Sequence, residues 1–283
     1  MATIKQTLAL AGRLDGLSDT ARLDVAVLLA HALERDKTYL YTWPDRELTA
    51  AQQQVFESLL AQRQKGVPIA YLVGEKEFWS LPIKVSSDTL IPRPDTELLV
   101  QLGLELFDSD SPRTIADLGT GTGAIALALA HERSRWQVLG ADISPQIVAL
   151  AEQNRVAFQL MNLRFVVSDW CSALPKQAFD LILGNPPYIA ADDPHLLCGD
   201  VRFEPKTALV SEEDGLHDIK CIATQAKDHL KLQGFLLLEH GCQQAQAVRE
   251  ILSAVGYSNM KTFQDLAGLD RATQCQWRGE EAL

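Results

Sequence analysis

The sequence predicts a doubly wound, mainly parallel α/β sheet, and two observations carry this prediction. From Arg113 onward, short apolar runs with the length of strands alternate with segments that have helical periodicity. The residues with unusual chemistry, namely a glycine-rich loop, acidic side chains and a pair of prolines, come directly after such apolar runs. Ligands bind outside the carboxyl ends of the strands in these sheets, so this placement agrees with the fold class.

Residues 1–75 are predicted to form a small bundle of short helices. Ser18 is a candidate N-cap for an apolar helix, and Thr49 with Gln52 three residues later has the pattern of a capping box. Gly66 is placed to end the helix that Thr49 begins. We find no catalytic constellation in this part of the sequence.

Residues 76–92 are predicted to form a β-hairpin linker, because Phe78, Ile83 and Val85 surround a short turn sequence. Residues 93–283 then form the α/β domain, which opens with a helix. The helix that follows Gly215 is predicted to continue to Gly234. Seven strands are expected here, from the runs RTIADLG, WQVLGAD, LRFVVSD, FDLILGN, FLLLEHG and two more near the end.

The charge of the chain bears on its partners. The formal net charge of −11 disfavours a general DNA- or RNA-binding protein, because an acidic field repels phosphates. Residues 1–75 carry a net charge of −1, and the rest of the chain carries −10. The nearly neutral N-terminal part is therefore the better place for an acidic partner to bind.

Three features favour the cytoplasm. The five cysteines have no CxxC spacing, which is typical of reduced thiols. The N-terminal segment lacks the pattern of a secretory signal. No apolar run approaches the ~20 residues that span a bilayer, so we expect no membrane partner.

Asp192, Asp193, His195 and Asp200 are the residues that most resemble a metal-ligand set. They lack a metal-binding spacing such as HExxH, and a solvated loop explains them better. No metal is expected.

A glycine-rich loop joins the first strand of the α/β domain to its first helix. Gly119, Thr120, Gly121, Thr122 and Gly123 give the pattern G-x-G-x-G. Glycines let the backbone approach a ligand closely, and the following helix offers free N–H groups. The pattern is neither the dinucleotide G-x-G-x-x-G nor a P-loop, so by itself it predicts a nucleoside-type cofactor. A turn that serves packing alone is the alternative.

Acidic residues follow the next two strands. Asp142 is placed to accept hydrogen bonds from both hydroxyls of a ribose, although it could also cap the next helix, a role that Ser144 can fill. Asp169 can accept from the amino group of an adenine, and Trp170 can cover the ring or fill the core. The order of these three strand-end features resembles the class I S-adenosylmethionine-dependent methyltransferases. A dehydrogenase is the main competitor, and the glycine spacing disfavours it.

The fourth strand is followed by Asn185, Pro186, Pro187 and Tyr188. The prolines have no N–H group, so the Pro186 carbonyl is available to accept a hydrogen bond. Asn185 adds a side-chain carbonyl, and Tyr188 adds a flat face. These groups describe a slot for a planar –NH₂ group. A proline-rich loop with only a structural role is the alternative.

Such a slot suits methyl transfer to an amide or aminopyrimidine nitrogen. As the N–C bond forms, the nitrogen becomes positive and its hydrogens become better donors, so bonds to Asn185 and Pro186 strengthen in the transition state. Alignment of the nitrogen with the methyl group should contribute more than these bonds. No strong general base is required. A cofactor-binding module without activity would need this slot blocked, and here it is intact.

Several longer stretches resemble the release factor glutamine methyltransferases. They are LIPRPDTELLV, DLGTGTGAIALALA, NPPYI, FEPKTALVSEEDGL, LLLEHG and FQDLAGLDR, and together they cover most of the chain. The sequence departs from the family at Cys242, where a large residue is usual after EHG. The roles of Arg93, Glu97 and His240 and the oligomeric state stay open.

The resemblance implies methylation of the glutamine side-chain nitrogen in the Gly-Gly-Gln loop of peptide chain release factors. It implies a seven-stranded class I methyltransferase sheet, with S-adenosylmethionine bound by Gly119 to Gly123, Asp142 and Trp170. Asp169 is added to this set from its place at the end of the third strand. It makes Asn185 the catalytic residue, in contact with cofactor and substrate, and has Asn185 to Tyr188 hold the glutamine. A ribosomal-protein glutamine methyltransferase is the nearest alternative, and an enzyme acting on adenine in DNA or guanine in RNA is a more distant one. Arg93 to Glu97 favour the release factor branch, and no direct nucleic-acid contact is expected.

Overall fold

The computed structural model describes residues 2–279, and they form two compact units. The helical unit contains the chain up to Glu75 together with His195–Phe203. The α/β unit contains Lys76–Pro194 and the chain from Glu204 onward.

The helical unit is a bundle of short helices, as predicted. Its helices are α1 (Ile4–Leu8), α2 (Ala21–Leu33), α3 (Lys37–Thr42), α4 (Ala50–Gln64) and α5 (Ile69–Val73), with 3₁₀ turns at Ala9–Leu14 and Val201–Phe203. Leu28, Leu29 and Phe56 are among the apolar side chains that fill the core between them. Because each helix is short, packing of these apolar faces must supply most of the stability.

The predicted capping box at Thr49 is confirmed. The Gln52 N–H donates to Thr49 Oγ1 at 3.2 Å, and the Thr49 N–H donates to Gln52 Oε1 at 3.0 Å. The Ser18 prediction is wrong in detail, because α2 begins at Ala21 after Thr20. Ser18 Oγ instead accepts a hydrogen bond from the Thr20 N–H in the turn that precedes the helix.

Arg63 organises the charged interior of the helical unit. Its Nε donates to Asp24 Oδ2 at 2.8 Å, and its Nη1 donates to Asp200 Oδ1 at 3.0 Å. Arg63 and Asp24 are both buried. Asp200, which the sequence predicts in a solvated loop, therefore has a charged partner.

The predicted hairpin is present in the α/β unit, where β1 (Glu75–Phe78) and β2 (Leu81–Lys84) form a two-stranded sheet. Trp79 and Ser80 form its turn with φ values of 51° and 60°. Two residues with positive φ match the right-handed twist of a tight hairpin. Phe78 and Ile83 are buried against the core of the α/β unit.

The main sheet has seven strands, as predicted, in the order β5-β4-β3-β6-β7-β9-β8. Its strands are β3 (Thr114–Leu118), β4 (Gln137–Asp142), β5 (Leu163–Val167), β6 (Phe179–Gly184), β7 (Leu230–Glu239), β8 (Ser258–Gln264) and β9 (Asp270–Gln276). The first five are parallel, while β9 is antiparallel to β7 and β8. The chain leaves β3 toward β4 and returns to the other side of β3 with β6, which creates the switch point where such sheets bind ligands.

Helices cover both faces of this sheet, which confirms the doubly wound fold. They are α6 (Glu97–Glu105), α7 (Ala124–Glu132), α8 (Pro145–Ala157), α9 (Glu212–Gly215), α10 (His217–His229) and α11 (Ala245–Val255), with 3₁₀ turns at Pro94–Thr96 and Lys206–Ala208. Ile115 and Leu181 pack on the face that holds α6 and α7. Ala116 and Ile182 pack on the opposite face, with α10 and α11. Alternation of side chains along each strand therefore builds both cores.

The helix predicted to reach Gly234 ends five residues earlier, at His229. Leu230 already pairs with Phe179 of β6, and the register shifts before Leu181 pairs with Phe235. Gln233 has a φ of 68°, which an α-helix cannot contain. Burial of Leu230 on β6 thus outweighs the local helical pattern. Within residues 2–279, no helix is long and apolar enough to cross a membrane.

Candidate active site

A cavity of about 590 Å³ lies at the carboxyl ends of β3, β4, β5 and β6, within the α/β unit. This volume is within the range of small-molecule sites. Predicted site residues that line it are Gly119, Thr120, Gly121, Thr122, Asp142, Asp169, Trp170, Asn185 and Pro187. The other predicted residues, Gly123, Pro186 and Tyr188, are outside this lining. Parallel pairing brings the lining residues together from four separate stretches of the chain.

The glycine loop leaves open space at one position and packs tightly at another. A methyl group added at Gly121 would have no neighbour closer than the Gly119 carbonyl oxygen at 4.0 Å. One added at Gly123 would lie 2.8 Å from the Phe165 ring. Gly121 therefore borders the cavity, while Gly123 allows α7 to pack closely against the sheet. Gly123 is also the N-cap residue of α7, with a φ of 85°.

Asp117, which was not predicted as a site residue, stabilises this loop with hydrogen bonds. Its Oδ2 accepts hydrogen bonds from Thr120 Oγ1 at 2.6 Å and from the Ala126 N–H at 3.2 Å. Its Oδ1 has no hydrogen-bond partner among the described residues. Complete burial raises the pKa of Asp117 to about 7. The signal in the sequence was an acidic residue inside an otherwise apolar strand.

The raised pKa of Asp117 predicts a pH-dependent stability. Between pH 4 and 7, Asp117 is ionised in the unfolded chain but protonated in the folded protein. Its contribution to the free energy of unfolding therefore falls as pH rises, by about 1.4 kcal/mol per pH unit. Asp117→Asn should lack this contribution. Denaturant unfolding at pH 4, 5, 6 and 7 measures the difference between the two proteins, and parallel profiles would contradict the prediction.

Asp142 lies at the end of β4, and its carboxylate already holds backbone groups. Oδ2 accepts from the Gly121 N–H and Oδ1 from the Ser144 N–H, both at 3.1 Å. Ser144 Oγ accepts from the Ile147 N–H, so Ser144 caps α8 as predicted. Burial raises the pKa of Asp142. Each carboxylate oxygen can accept a second hydrogen bond, so Asp142 can fix the loop and still bind a ribose.

Asp169 and Trp170 follow β5 and line the same cavity. Trp170 has a φ of 45°, which is unusual for a large side chain. A methyl group added at Gly119 would lie 3.2 Å from the Trp170 ring. The indole therefore covers the start of the glycine loop, and a side chain at position 119 would crowd the ring in addition to the strain of the positive φ of 63° there.

Asn185 follows β6, and its orientation is set by a residue that was not predicted. Asn185 Nδ2 donates to Thr96 Oγ1 at 3.1 Å, and Thr96 is buried next to the cavity. This bond uses the amide nitrogen and leaves the carbonyl oxygen of Asn185 available as an acceptor. Thr96 lies 89 residues earlier in the chain, within the PRPDTE stretch.

Glu239, at the end of β7, holds the Tyr188 hydroxyl and lies near Thr96. The Tyr188 hydroxyl donates to Glu239 Oε1 at 3.2 Å. Burial raises the pKa of Glu239 to about 7, and the nearby Thr96 hydroxyl and Arg271 partly offset this rise. Burial likewise raises the pKa of Tyr188. The hydrogen bond from its hydroxyl thus fixes Tyr188 outside the cavity lining. This position restricts how its ring could cover a planar –NH₂ group, the role predicted from the sequence.

The backbone of Tyr188 is held as firmly as its side chain. Gln244 Nε2 donates to the Tyr188 carbonyl at 3.0 Å, and also to the Asp214 carbonyl at 3.1 Å. Gly215 approaches the same carbonyl so closely that an added methyl group would lie 2.1 Å from its oxygen. Gln244 and Gly215 therefore set the path of the chain that follows Asn185.

The three residues whose roles the sequence leaves open have clear partners. Arg93 lines the cavity and forms an ion pair with the buried Glu204. Glu97 Oε1 accepts from the Trp79 N–H at 2.8 Å and so ties α6 to the hairpin. His240 is buried, with Nε2 at 2.9 Å from Thr273 Oγ1. Of the three, Arg93 lines the cavity, while Glu97 and His240 hold neighbouring elements together.

Two family models match parts of the chain. Residues 3–74 match the PrmC N-terminal domain model, and residues 95–199 match the methyltransferase small domain model. A release factor glutamine methyltransferase from Vibrio cholerae is 51% identical, covering 93% of this chain and 92% of the relative. Its counterpart from Shewanella oneidensis is 48% identical, covering 93% and 91%.

A solved structure supports the fold. A methyltransferase from Pyrococcus furiosus superposes with a TM-score of 0.54 and 18% identity, covering 79% of this chain and 98% of that one. At this identity the likeness concerns the fold alone. This chain covers more than 90% of the length of each of these sequence relatives at about 50% identity, so it belongs to the release factor glutamine methyltransferase family.

Proposed function

We propose that this protein transfers the methyl group of S-adenosylmethionine to the side-chain amide nitrogen of the glutamine in the Gly-Gly-Gln motif of peptide chain release factors. The N–C bond forms as the S–C bond breaks, S-adenosylhomocysteine leaves, and the amide nitrogen loses one proton to water. Family membership supports the reaction, since the relatives are named for it. The observation that carries the proposal is the bond from Asn185 Nδ2 to Thr96, which leaves the Asn185 carbonyl as an acceptor beside the cavity.

The cavity fits S-adenosylmethionine, which supplies the methyl group. Gly121 leaves room for close approach of a ligand to the backbone, as described above. The carboxylates of Asp142 and Asp169 would bind the ribose and the adenine amino group, and Trp170 would cover the adenine ring. The free N–H groups of the glycine loop and the start of α7 complete the proposed cofactor site, from Gly119 to Gly123.

Asn185 and Pro186 would act on the glutamine amide. An amide nitrogen is a poor nucleophile, because its lone pair is delocalised into the carbonyl. As the nitrogen becomes positive, its two hydrogens donate more strongly to the Asn185 and Pro186 oxygens, at about 1.5–3 kcal/mol for each bond with a charged partner. Pro187 and Tyr188 would restrict the path of this segment. Binding that strengthens only in the transition state accelerates transfer.

The division of labour between the parts of the chain is also a proposal. The helical domain, residues 1–75, would recognise the protein substrate. The hairpin of residues 76–92 would link this domain to the catalytic domain, residues 93–283, which would carry out the methyl transfer. The nearly neutral charge of residues 1–75, against −10 in the rest, supports this assignment. Release factors act in translation termination, so we infer the cytoplasm as the place of action.

The reaction can be tested with radiolabelled S-adenosylmethionine. Release factor, ribosomal protein, duplex DNA and ribosomal RNA are offered side by side, together with a release factor whose target glutamine is replaced by alanine. Label should appear in the release factor and be lost from the glutamine variant. Label found only in the ribosomal protein or only in nucleic acid would overturn the proposed substrate.

Thr96 offers a separate test of the orientation of Asn185. Thr96→Val keeps the shape of the side chain but cannot accept the hydrogen bond from Asn185 Nδ2. We expect the transfer rate to fall about tenfold, which corresponds to the loss of ~1.4 kcal/mol. Thr96→Ser restores the hydroxyl and should recover most of the rate. Equal rates in the two variants would show that the hydroxyl has no part in orienting Asn185.

A further inference from the structure

We propose that the β8–β9 turn, residues 265–269, is a docking surface for the polypeptide segment that flanks the target glutamine. This inference rests on the proposed function and adds a substrate-binding surface to it. The turn belongs to the FQDLAGLDR stretch, for which the reaction described above has no use.

The turn lies at the same edge of the sheet as the cavity. β9 runs antiparallel to β7, with Glu239 paired to Ala272, so the start of β9 lies beside the carboxyl end of β7. The His240 N–H donates to the Arg271 carbonyl at 2.9 Å, which extends the pairing to that edge. The turn immediately precedes β9 and therefore lies at the rim where Asn185 and Tyr188 are held.

The conformation of the turn is fixed by Asp265. Its Oδ1 accepts from the Ala267 N–H at 2.9 Å and from the Leu269 N–H at 3.0 Å. The Asp265 N–H donates to the Leu269 carbonyl at 2.9 Å, which closes the loop. A surface held in this way loses little conformational entropy when a partner binds.

The turn presents apolar side chains to solvent. Leu266 is fully exposed, with a relative accessibility of 108%, and Leu269 is 46% exposed. Exposure alone does not single out this turn, since Met161 is 88% exposed at the start of β5, on the opposite edge of the sheet. The distinguishing feature is the connection of the turn to the site.

Arg271 makes that connection. Its Nε and Nη2 donate to Asp265 Oδ2 at 3.1 and 3.0 Å. The same guanidinium lies close enough to the Tyr188 hydroxyl and the Glu239 carboxylate to influence their pKa values. Arg271 therefore binds the turn directly and lies near the tyrosine that follows Asn185 and Pro187. A chain lying across Leu266 would occupy the same edge of the sheet as the acceptor slot.

The chemistry of the turn favours an uncharged polypeptide. Arg271 compensates the charge of Asp265, so the leucines are displayed without a net charge from this pair. Nucleic acid would need cations directed outward, and the Arg271 guanidinium is bound to Asp265. A Gly-Gly-Gln segment has no charged side chain and exposes its backbone. Apolar contact between the exposed leucines and the residues that flank this segment is therefore compatible with the chemistry of the turn and of the segment.

The test compares Leu266→Asp with Met161→Asp, which places the same charge on another highly exposed apolar position at the opposite edge. Steady-state kinetics with full-length release factor should show at least a tenfold higher KM for Leu266→Asp. Its kcat and its Kd for S-adenosylmethionine should change less than twofold, and Met161→Asp should match the wild type in all three. Thermal unfolding checks that both variants are folded.

The outcomes separate the inference from the proposed function. A KM that is unchanged in Leu266→Asp, or raised equally in both variants, would overturn the docking surface while leaving the activity in place. Failure of the wild-type enzyme to methylate release factor would overturn the proposed function itself. A selective rise in KM supports both.

Discussion

Asn185→Ala is expected to lower the rate of methyl transfer by about 10²–10³-fold, while the protein still binds S-adenosylmethionine. The substitution removes the carbonyl that would accept a hydrogen bond from the glutamine amide, and that bond strengthens as the nitrogen becomes positive. It also removes the contact with Thr96 that orients the amide. The loss should therefore appear in the transition state more than in binding of either substrate.

Single-turnover transfer to release factor measures this loss, and calorimetry measures the affinity for S-adenosylmethionine. The affinity of Asn185→Ala for the cofactor should weaken by a much smaller factor than the rate. A normal transfer rate in this variant would rule out the acceptor slot. A loss of cofactor binding equal to the loss of rate would reassign Asn185 to the cofactor alone.

Gly215→Ala is expected to reduce transfer by about 100-fold, although Gly215 is outside the cavity lining. Gly215 has a φ of 83°, and an added methyl group would lie 2.1 Å from the Tyr188 carbonyl oxygen and 2.8 Å from Gln244 Nε2. The neighbouring atom is backbone, so the chain that follows Asn185 must move. A displacement of about 1 Å from a productive geometry can cost 10²-fold in rate.

Gly256→Ala is the matched control for this prediction. Gly256 also has a positive φ, 104°, but its added methyl group would meet only the Trp277 ring, at an ordinary contact distance of 3.6 Å. Both variants therefore introduce backbone strain, and only Gly215→Ala displaces Tyr188. The two variants should have the same affinity for the cofactor, and only Gly215→Ala should have a reduced transfer rate. An equal loss of rate in both would attribute the effect to general destabilisation.

The sequence was informative wherever chemistry is concentrated within one short stretch. The glycine loop, Asp142 and Asn185 each follow an apolar strand, so their place at one edge of the sheet could be predicted from topology. Local patterns were less reliable at the ends of elements. The helix expected to reach Gly234 stops at His229, because burial of Leu230 on β6 favours a strand there.

The residues that orient the slot could not be predicted in the same way. Thr96, Gly215 and Glu239 contact Asn185 or Tyr188, and Arg271 lies near Tyr188. The four come from separate elements between 27 and 89 residues away from the residue beside which they lie. The local periodicity of the sequence carries no information about a contact between residues so far apart in the chain. Their signals were present only as the stretches PRPDTE, DGL, EHG and LDR, without a geometry to connect them.

The sequence by itself determined the fold class, the order of the strand-end features and the chemistry of the acceptor groups. These follow from periodicity, from the lack of N–H groups in proline and from the side-chain carbonyl of asparagine, which are properties of single residues and their spacing. Only the tertiary structure decided that Thr96 orients Asn185, that Tyr188 is fixed by Glu239 and Gln244, and that Arg271, which holds the β8–β9 turn, lies near Tyr188. Those contacts depend on which strands become neighbours, and neighbours in the sheet are distant in the chain.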